Sequence, residues 1–312
     1  MVRDIEEFRR LFRISIPVRE HAAYYVDTLS RSQEFAELPA LVRRFIEFEE
    51  RLSDRGQQLG DYKHQQLASL REELSGTAAF RRLCAAATHG PLPTRNRLAD
   101  QSDHWLVSLD LREANFSVLK LYDEEHALGD RPWAEFCADR DVDPLLAESK
   151  SFRQLIFGYL EPQKVQRVQH ALTAELADEL RRDGLDDPAI AGLSHDELVV
   201  AFAGDRADLG QARALMARVG ASTRRPNVRA TLYRSAFVEP GIEVRTFFEL
   251  TSDGPPRERH RTLVGVPGNL FFLYFKRHIL AAPLDPRDLY FRIEHRLAQW
   301  VVDDAEGSRS LD

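Results

Sequence analysis

"GLSHDELVVAF", residues 192–202, sets His195, Asp196 and Glu197 side by side between apolar segments. Short apolar runs of this kind read as buried strands, but three adjacent ionisable residues cannot lie inside one, because an unpaired buried charge is strongly unfavourable. The polar triplet therefore marks a reversal. Residues 189–204 read as two short strands folded back on each other, with the His-Asp-Glu group at the tip.

Working outward, "HWLVSLD" (104–110) is a second apolar run, and it ends on Asp110. The next segment, "LREANFSVLKLYD" (111–123), has helical spacing through Ala114, Val118 and Leu121. A helix is expected from about Ser149 to Tyr159. Another follows Pro162, with Val165, Val168, Leu172, Leu176 and Leu180 on one face before Gly184 ends it. "DRADLGQARALMARVG" (205–220) reads as an amphipathic helix closed by Gly220.

Toward the N-terminus the pattern is helical through about residue 88. Phe35, Leu38, Leu41, Phe45, Phe48 and Leu52 mark one face of an amphipathic helix, and Pro17 is expected in the first turn of the helix carrying "REHAAYYVDTL". "HGPLPTRN" (89–96) is a breaker-rich linker. From Asn227 onward, "VRATLYRSAFVE" and "IEVRTFFEL" are β-rich runs joined by the turn dipeptide Pro240-Gly241, so a hairpin is expected. A strand, a turn at Pro267-Gly268 and a helix follow. The fold class is α+β with an antiparallel sheet, in three regions: helical 1–96, mixed 97–222, and a C-terminal β-rich extension, 223–312.

The chain has 312 residues, more than the roughly 100 to 200 of a typical domain, so its core can be sizeable. A hydrophobic fraction of 43% with 30% charged residues is that of a globular protein. A net charge of −7 argues against nucleic-acid binding over the whole surface. It leaves room for a local basic groove, and Arg224–Arg277 is rich in arginine whereas residues 122–148 are acidic. Cys84 and Cys137 are the only cysteines, too few for a disulfide framework or a thiolate zinc site, which points to reduced thiols in the cytoplasm. The start, "MVRDIEEFRR", is charged, and the most apolar run, Leu263–Phe275, is too short to span a bilayer. No membrane partner is expected.

The chemistry rests on two aspartates. If the strands ending at Asp110 and Asp196 lie side by side, both carboxylates reach one sheet edge, where they can share divalent cations for phosphoryl transfer. Hard cations such as Mg²⁺ take oxygen ligands, which aspartate supplies. Taken singly, each acid is equally a helix cap or a solvated turn.

"LSHDELVVAF" resembles motif C of the family A, DNA polymerase I-like polymerases, and the similarity continues through "AGDRADLGQARALMARV". "SLDLREANFSVLK" (108–120) is similar to motif A, and "SFRQLIFGYL" (151–160) to motif B on the fingers helix. The three follow in the order A, B, C and cover about residues 104–220. The resemblance implies a polymerase palm with Asp110 and Asp196 as ligands of two Mg²⁺ or Mn²⁺ ions, supported by Glu197. It implies that Lys150 and Arg153 meet the triphosphate, that Phe157 and Asn115 adjoin the nucleotide, and that His195 orients the tip.

The family's first motif B arginine is replaced by Ser149, its Tyr-Gly by Glu161-Pro162 and its motif A glutamate by Asn115, which opens the question of sugar selectivity. The short interval between B and C implies reduced fingers, and the family's preceding Arg-, Ser-, Pro- and Asn-rich segment lacks a clear counterpart, with "PTRN" (93–96) as its single candidate. The N-terminal helices are expected to serve as a thumb. The implied activity is template-directed nucleotidyl transfer to a primer 3′-hydroxyl. Its partners would be nucleic acid, as primer-template or single strand, nucleoside triphosphates, and a replication or repair protein. The alternative is an inactive polymerase-like nucleic-acid-binding or assembly protein. In the C-terminal region, "PNVRATLYRS" and "RERHRTL" either track a phosphate backbone, with Tyr233 and Phe237 interleaved, or form a solvated strand face. His278 and His295 read as partly buried histidines without a metal.

Overall fold

A computed structural model describes residues 2–86, 94–96, 104–184, 189–202, 206–221, 227–251, 254–293 and 296–301. The first of these segments forms five helices: α1 (Ile5–Phe12), α2 (Ala22–Ser30), α3 (Leu38–Asp54), α4 (Leu59–Gly76) and α5 (Ala78–Ala85). Of the expected stripe, Leu38, Phe45, Phe48 and Leu52 of α3 are buried and Leu41 is half-buried, whereas Phe35 precedes the helix in a 3-10 turn over Gln33–Phe35. Phe45 meets Phe8 of α1 edge-on, with centroids 5.2 Å apart, and Phe48 meets Tyr62 of α4 at 5.7 Å. Glu49 fixes the start of α1 on α3, its carboxylate accepting from the Arg3 and Asp4 amides at 2.9 and 2.7 Å. Pro17 does not begin a helix. Val18 after it is extended (φ −123°, ψ 122°), and α2 starts only at Ala22, after a 3-10 turn over Arg19–His21.

Seven strands form one antiparallel sheet in the order β1-β3-β4-β2-β5-β6-β7. They are β1 (Arg95–Asn96), β2 (Trp105–Leu111), β3 (Ile190–Leu193), β4 (Glu197–Phe202), β5 (Val228–Glu239), β6 (Ile242–Glu249) and β7 (Arg257–Val264). The reversal between β3 and β4 falls at Ser194–Asp196, so Glu197 is the first residue of β4 rather than part of the tip. The hairpin at Pro240-Gly241 joins β5 and β6 as expected, with Gly241 at φ 80°.

Between β2 and β3 the chain forms α6 (Ala114–Leu121), α7 (Trp133–Ala138), α8 (Pro144–Glu148), α9 (Lys150–Phe157) and α10 (Pro162–Arg182); α11 (Arg206–Ala221) follows β4. Alternation along the strands divides the sheet into two faces. Val107, Leu109, Leu198, Val200 and Phe202 pack with Leu176, Ala177 and Leu180 of α10 and Ala212, Leu215 and Val219 of α11. Leu106, Val199, Ala201 and Tyr233 form the opposite cluster. On α6 the buried residues are Phe116, Val118 and Leu119, whereas Leu121 is 59% exposed, so the helix is rotated from the expected stripe.

Residues 2–86 share one hydrophobic core with α6–α9, the first turns of α10, and α12 (Phe271–Tyr274) with the π-helical turn Phe275–Leu280 that continues it. The boundary read at residue 96 is thus a change of secondary structure and not a break in packing. Strands β8 (Tyr290–Ile293) and β9 (Arg296–Gln299) form a separate ribbon. A short turn before it, Pro286–Leu289, is tied to α2: Tyr24 Oη donates to Asp288 at 2.6 Å, and Tyr25 Oη to the Arg287 carbonyl at 2.7 Å. No described helix is long and apolar enough to cross a membrane.

Candidate functional site

Strand β2 is apolar apart from Ser108 until Asp110, which stands opposite Glu197 of β4 on one side and Arg229 of β5 on the other. The Leu111 amide donates to the Asp196 carbonyl at 2.9 Å, so the hairpin tip is bonded to β2 beside Asp110. The tip itself is closed by the Ser194 amide donating to the Glu197 carbonyl at 2.9 Å. Helix α10 holds it from behind. Thr173 Oγ1 donates to the Ser194 carbonyl at 2.9 Å, and the buried His170 ring meets His195 edge-on at 5.5 Å.

Asp110 and Asp196 line a cavity of about 400 Å³ together with Leu111, Glu113, Ala114, Asn115, His195 and residues of α9 and α10. That volume lies within the usual range for small-molecule sites. Burial, and then the charges of Asp196 and Glu197, raise the Asp110 carboxyl to about 6, against the opposing influence of Lys150 and Arg229. A carboxylate pushed up by its neighbours is one that a cation would stabilise.

Across the cavity, Lys150, Arg153, Gln154, Phe157 and Gly158 follow the spacing of one helix face, while Phe152 and Ile156 turn into the core. Ser149, which replaces the expected arginine, has a structural task. Its hydroxyl caps α9 by accepting from the Phe152 amide at 3.1 Å, and donates to the Leu11 carbonyl of α1 at 2.7 Å. Helix α9 is thereby fixed to the N-terminal helices. Among the described residues neither Lys150 nor Arg153 enters an ion pair, so both cations face the aspartates uncompensated. Phe157 is only 3% exposed and lies near Trp133 and Phe116, which makes it a core residue as well as part of the wall.

The third wall joins α6 and α10. Glu113, at φ 47°, is left-handed, and its carboxylate accepts from the Trp133 amide at 2.8 Å. This strained turn lets the chain leave β2 and start α6 at the cavity. Asn115 Oδ1 accepts from Gln169 Nε2 at 2.7 Å. Gln169, His170 and Thr173 were missed in the sequence, although they interrupt the apolar face of α10 and are buried there.

The structure therefore brings Asp110, Asp196, His195, Asn115, Lys150, Arg153 and Phe157 to one cavity. Glu197 is not in its lining; its carboxylate accepts from Ser108 Oγ at 2.5 Å on the same face of the sheet. Tyr233 is buried and Phe237 exposed, and of "PTRN" Pro93 lies outside the described residues, as do His295 and residues 302–312. His278 is half-buried, its ring 5.6 Å from Tyr274, beside a larger apolar cavity of about 1010 Å³ whose lining holds a single carboxylate, Glu239. That cavity is the larger, but its one carboxylate cannot make the paired-aspartate arrangement that a two-cation site uses. The free thiols of Cys84 and Cys137 are both raised by burial, Cys137 to about 12, so neither is a ready thiolate.

Among the described residues no group of three or more His, Cys, Asp or Glu is arranged to hold a metal. Two carboxylates at a cavity still fit Mg²⁺, which is commonly bound by one or two carboxylates and completed by water and substrate phosphates. No family model, curated protein or solved structure matches the chain.

Proposed function

We propose that this chain is a template-directed nucleotidyltransferase, DNA polymerase-like, in which the antiparallel sheet acts as a palm. It would join a nucleoside triphosphate to a primer 3′-hydroxyl with two divalent cations, Mg²⁺ or Mn²⁺. One observation carries the reading: Asp110 and Asp196, from adjacent points of the sheet edge, share a cavity with the unpaired Lys150 and Arg153 of the facing helix.

That arrangement separates charges as phosphoryl transfer requires. The carboxylates would hold the cations, which when bound supply activation of the attacking hydroxyl and stabilisation of the leaving oxygens. Lys150 and Arg153 neutralise the triphosphate, Arg153 through the forked geometry of its guanidinium. Phe157 and the Asn115–Gln169 amide pair are left for the nucleoside end. His195 flanks Asp196, and Glu197, held by Ser108, deepens the negative field at Asp110.

The test is primer extension by the purified chain on DNA and RNA templates, with Mg²⁺ or Mn²⁺ and either deoxy- or ribonucleoside triphosphates. Metal-dependent extension that disappears in Asp110→Ala and Asp196→Ala is expected. No extension in any combination, or extension by those variants equal to the parent, overturns the reading.

A further inference from the structure

Strands β5–β7 lie beyond the segment that resembles a polymerase, yet they continue the sheet directly from Asp110. Arg229 is the cross-strand neighbour of Asp110 on β5 and is exposed. On the same face a ladder of rings crosses three strands. Tyr233 of β5 lies 5.5 Å from Phe247 of β6, and Phe247 stacks on His260 of β7 at 4.7 Å with planes only 14° apart. Tyr233 is buried, Phe247 and His260 are half-buried, and β7 is the edge strand, so the ladder rises toward solvent at His260.

The register explains the fourth residue. Phe247 pairs with His260 but Phe248 with Glu258, so Arg259 is the extra residue of a β-bulge and is exposed. Bulges of this kind re-aim side chains at sheet edges. Burial, followed by the charges of Arg259 and Arg229, lowers the His260 imidazole below its usual value.

Acids do not cancel this charge. Glu258 is held by Arg261 at 2.9 Å, Glu243 by Ser235 at 2.7 Å and by Arg245, and Glu249 stands opposite Arg257 in register. Among the described residues Arg229 and Arg259 have no acidic partner in an ion pair. Arg259, beside the ring in sequence, and Arg229, opposite Asp110 on the same face, offer guanidinium groups that match the phosphates of a single strand, and the flat ring matches an unpaired base, whereas a duplex would keep its bases stacked within itself.

We infer that the β5–β7 edge seats single-stranded nucleic acid, with phosphates on Arg229 and Arg259 and a base against His260. Arg229 places that strand next to Asp110. The inference rests on the nucleotidyltransferase reading, since it describes the strand led to that site.

Fluorescence anisotropy of labelled oligothymidylate and oligouridylate with the full chain tests it, at several salt concentrations. Each of Arg229→Ala and Arg259→Ala is expected to weaken binding about fivefold near 0.1 M salt and to reduce the salt slope by about 0.7. Arg229→Lys, which keeps the charge, is expected to restore most of the loss. Arg261→Ala is the control, because that arginine is already held by Glu258 on the same strand. No binding by the parent at low salt, unchanged binding in both alanine variants, or equal weakening by Arg261→Ala overturns the inference. Extension is scored separately. A chain that extends a primer while the Arg229 and Arg259 variants bind as the parent does refutes this seat but keeps the enzyme. Binding that depends on these arginines without extension supports the seat and refutes the enzyme.

Discussion

The Leu111 amide donates to the Asp196 carbonyl across 2.9 Å, so the backbones carrying Asp110 and Asp196 cannot separate without breaking this rung between β2 and the hairpin tip. The two carboxylates are thus held together by main chain and by the Thr173 hydroxyl behind the tip, not by contacts of their own. Removing either side chain leaves that scaffold intact. Asp110→Ala and Asp196→Ala are expected to reduce primer extension on the order of a hundredfold or more while circular dichroism stays as in the parent. Asp196→Glu, one methylene longer at a fixed tip, is expected to recover little of the loss.

The strain at Asp110 predicts a pH dependence. Its carboxyl is raised from an ordinary value of 3.8 to about 6, so the folded chain binds this proton more tightly than the unfolded chain does. Between pH 4 and 6 this group therefore costs stability as pH rises, on the order of 1 kcal/mol after allowing for solvent screening. In thermal melts of the metal-free protein, Asp110→Asn is expected to raise Tm at pH 7.5 relative to the parent and to change it little at pH 4. Millimolar Mg²⁺ is expected to raise the parent's Tm at pH 7.5 and not that of Asp110→Asn.

Ser149 couples the N-terminal helices to the Lys150–Arg153 wall of the cavity through its two hydrogen bonds. Its substitution by alanine removes a helix cap and leaves the Leu11 carbonyl without this donor, at a cost of about 1 to 2 kcal/mol in urea denaturation. Since Lys150 and Arg153 ride on the same helix, the KM for nucleoside triphosphate is expected to rise more than kcat falls. An unchanged KM alongside the stability loss would detach the cap from the site.

Far from the cavity, Asp288 is 2% exposed and accepts from Tyr24 Oη at 2.6 Å and from the Asp285 amide at 2.7 Å, with Lys276 Nζ at 3.3 Å. Asp288→Ala strands a lysine that is itself 5% exposed, so a loss on the order of 3 kcal/mol is expected in equilibrium unfolding. The double variant Asp288→Ala with Lys276→Met is expected to recover part of it, because no buried charge then lacks a partner.

Elements with strong local signals were legible. The α3 and α10 stripes, the Pro240-Gly241 hairpin and the existence of a reversal at His195-Asp196 follow from periodicity and breakers within about twenty residues, although its tip lies one residue earlier than expected. Pro17 and Leu121 show where such signals fail: one helix starts five residues later, and the other turns a leucine outward because Phe116 and Leu119 take the core. Propensity and period are local properties, and packing decides between near-equal alternatives.

By itself, the sequence determined that an apolar strand carries Asp110 near its end, that a polar reversal carries Asp196, and that a helix between them carries Lys150, Arg153 and Phe157 at one-face spacing. Only the tertiary structure decided that these residues meet, because contact across residues 110, 153 and 196 depends on the strand order β4-β2-β5 and on α9 being pinned to α1. It also joined β5–β7 to the edge beside Asp110 and directed Glu197 to Ser108. Register is a property of pairs of strands, set by hydrogen bonds between segments nearly a hundred residues apart, and no local window of sequence contains it.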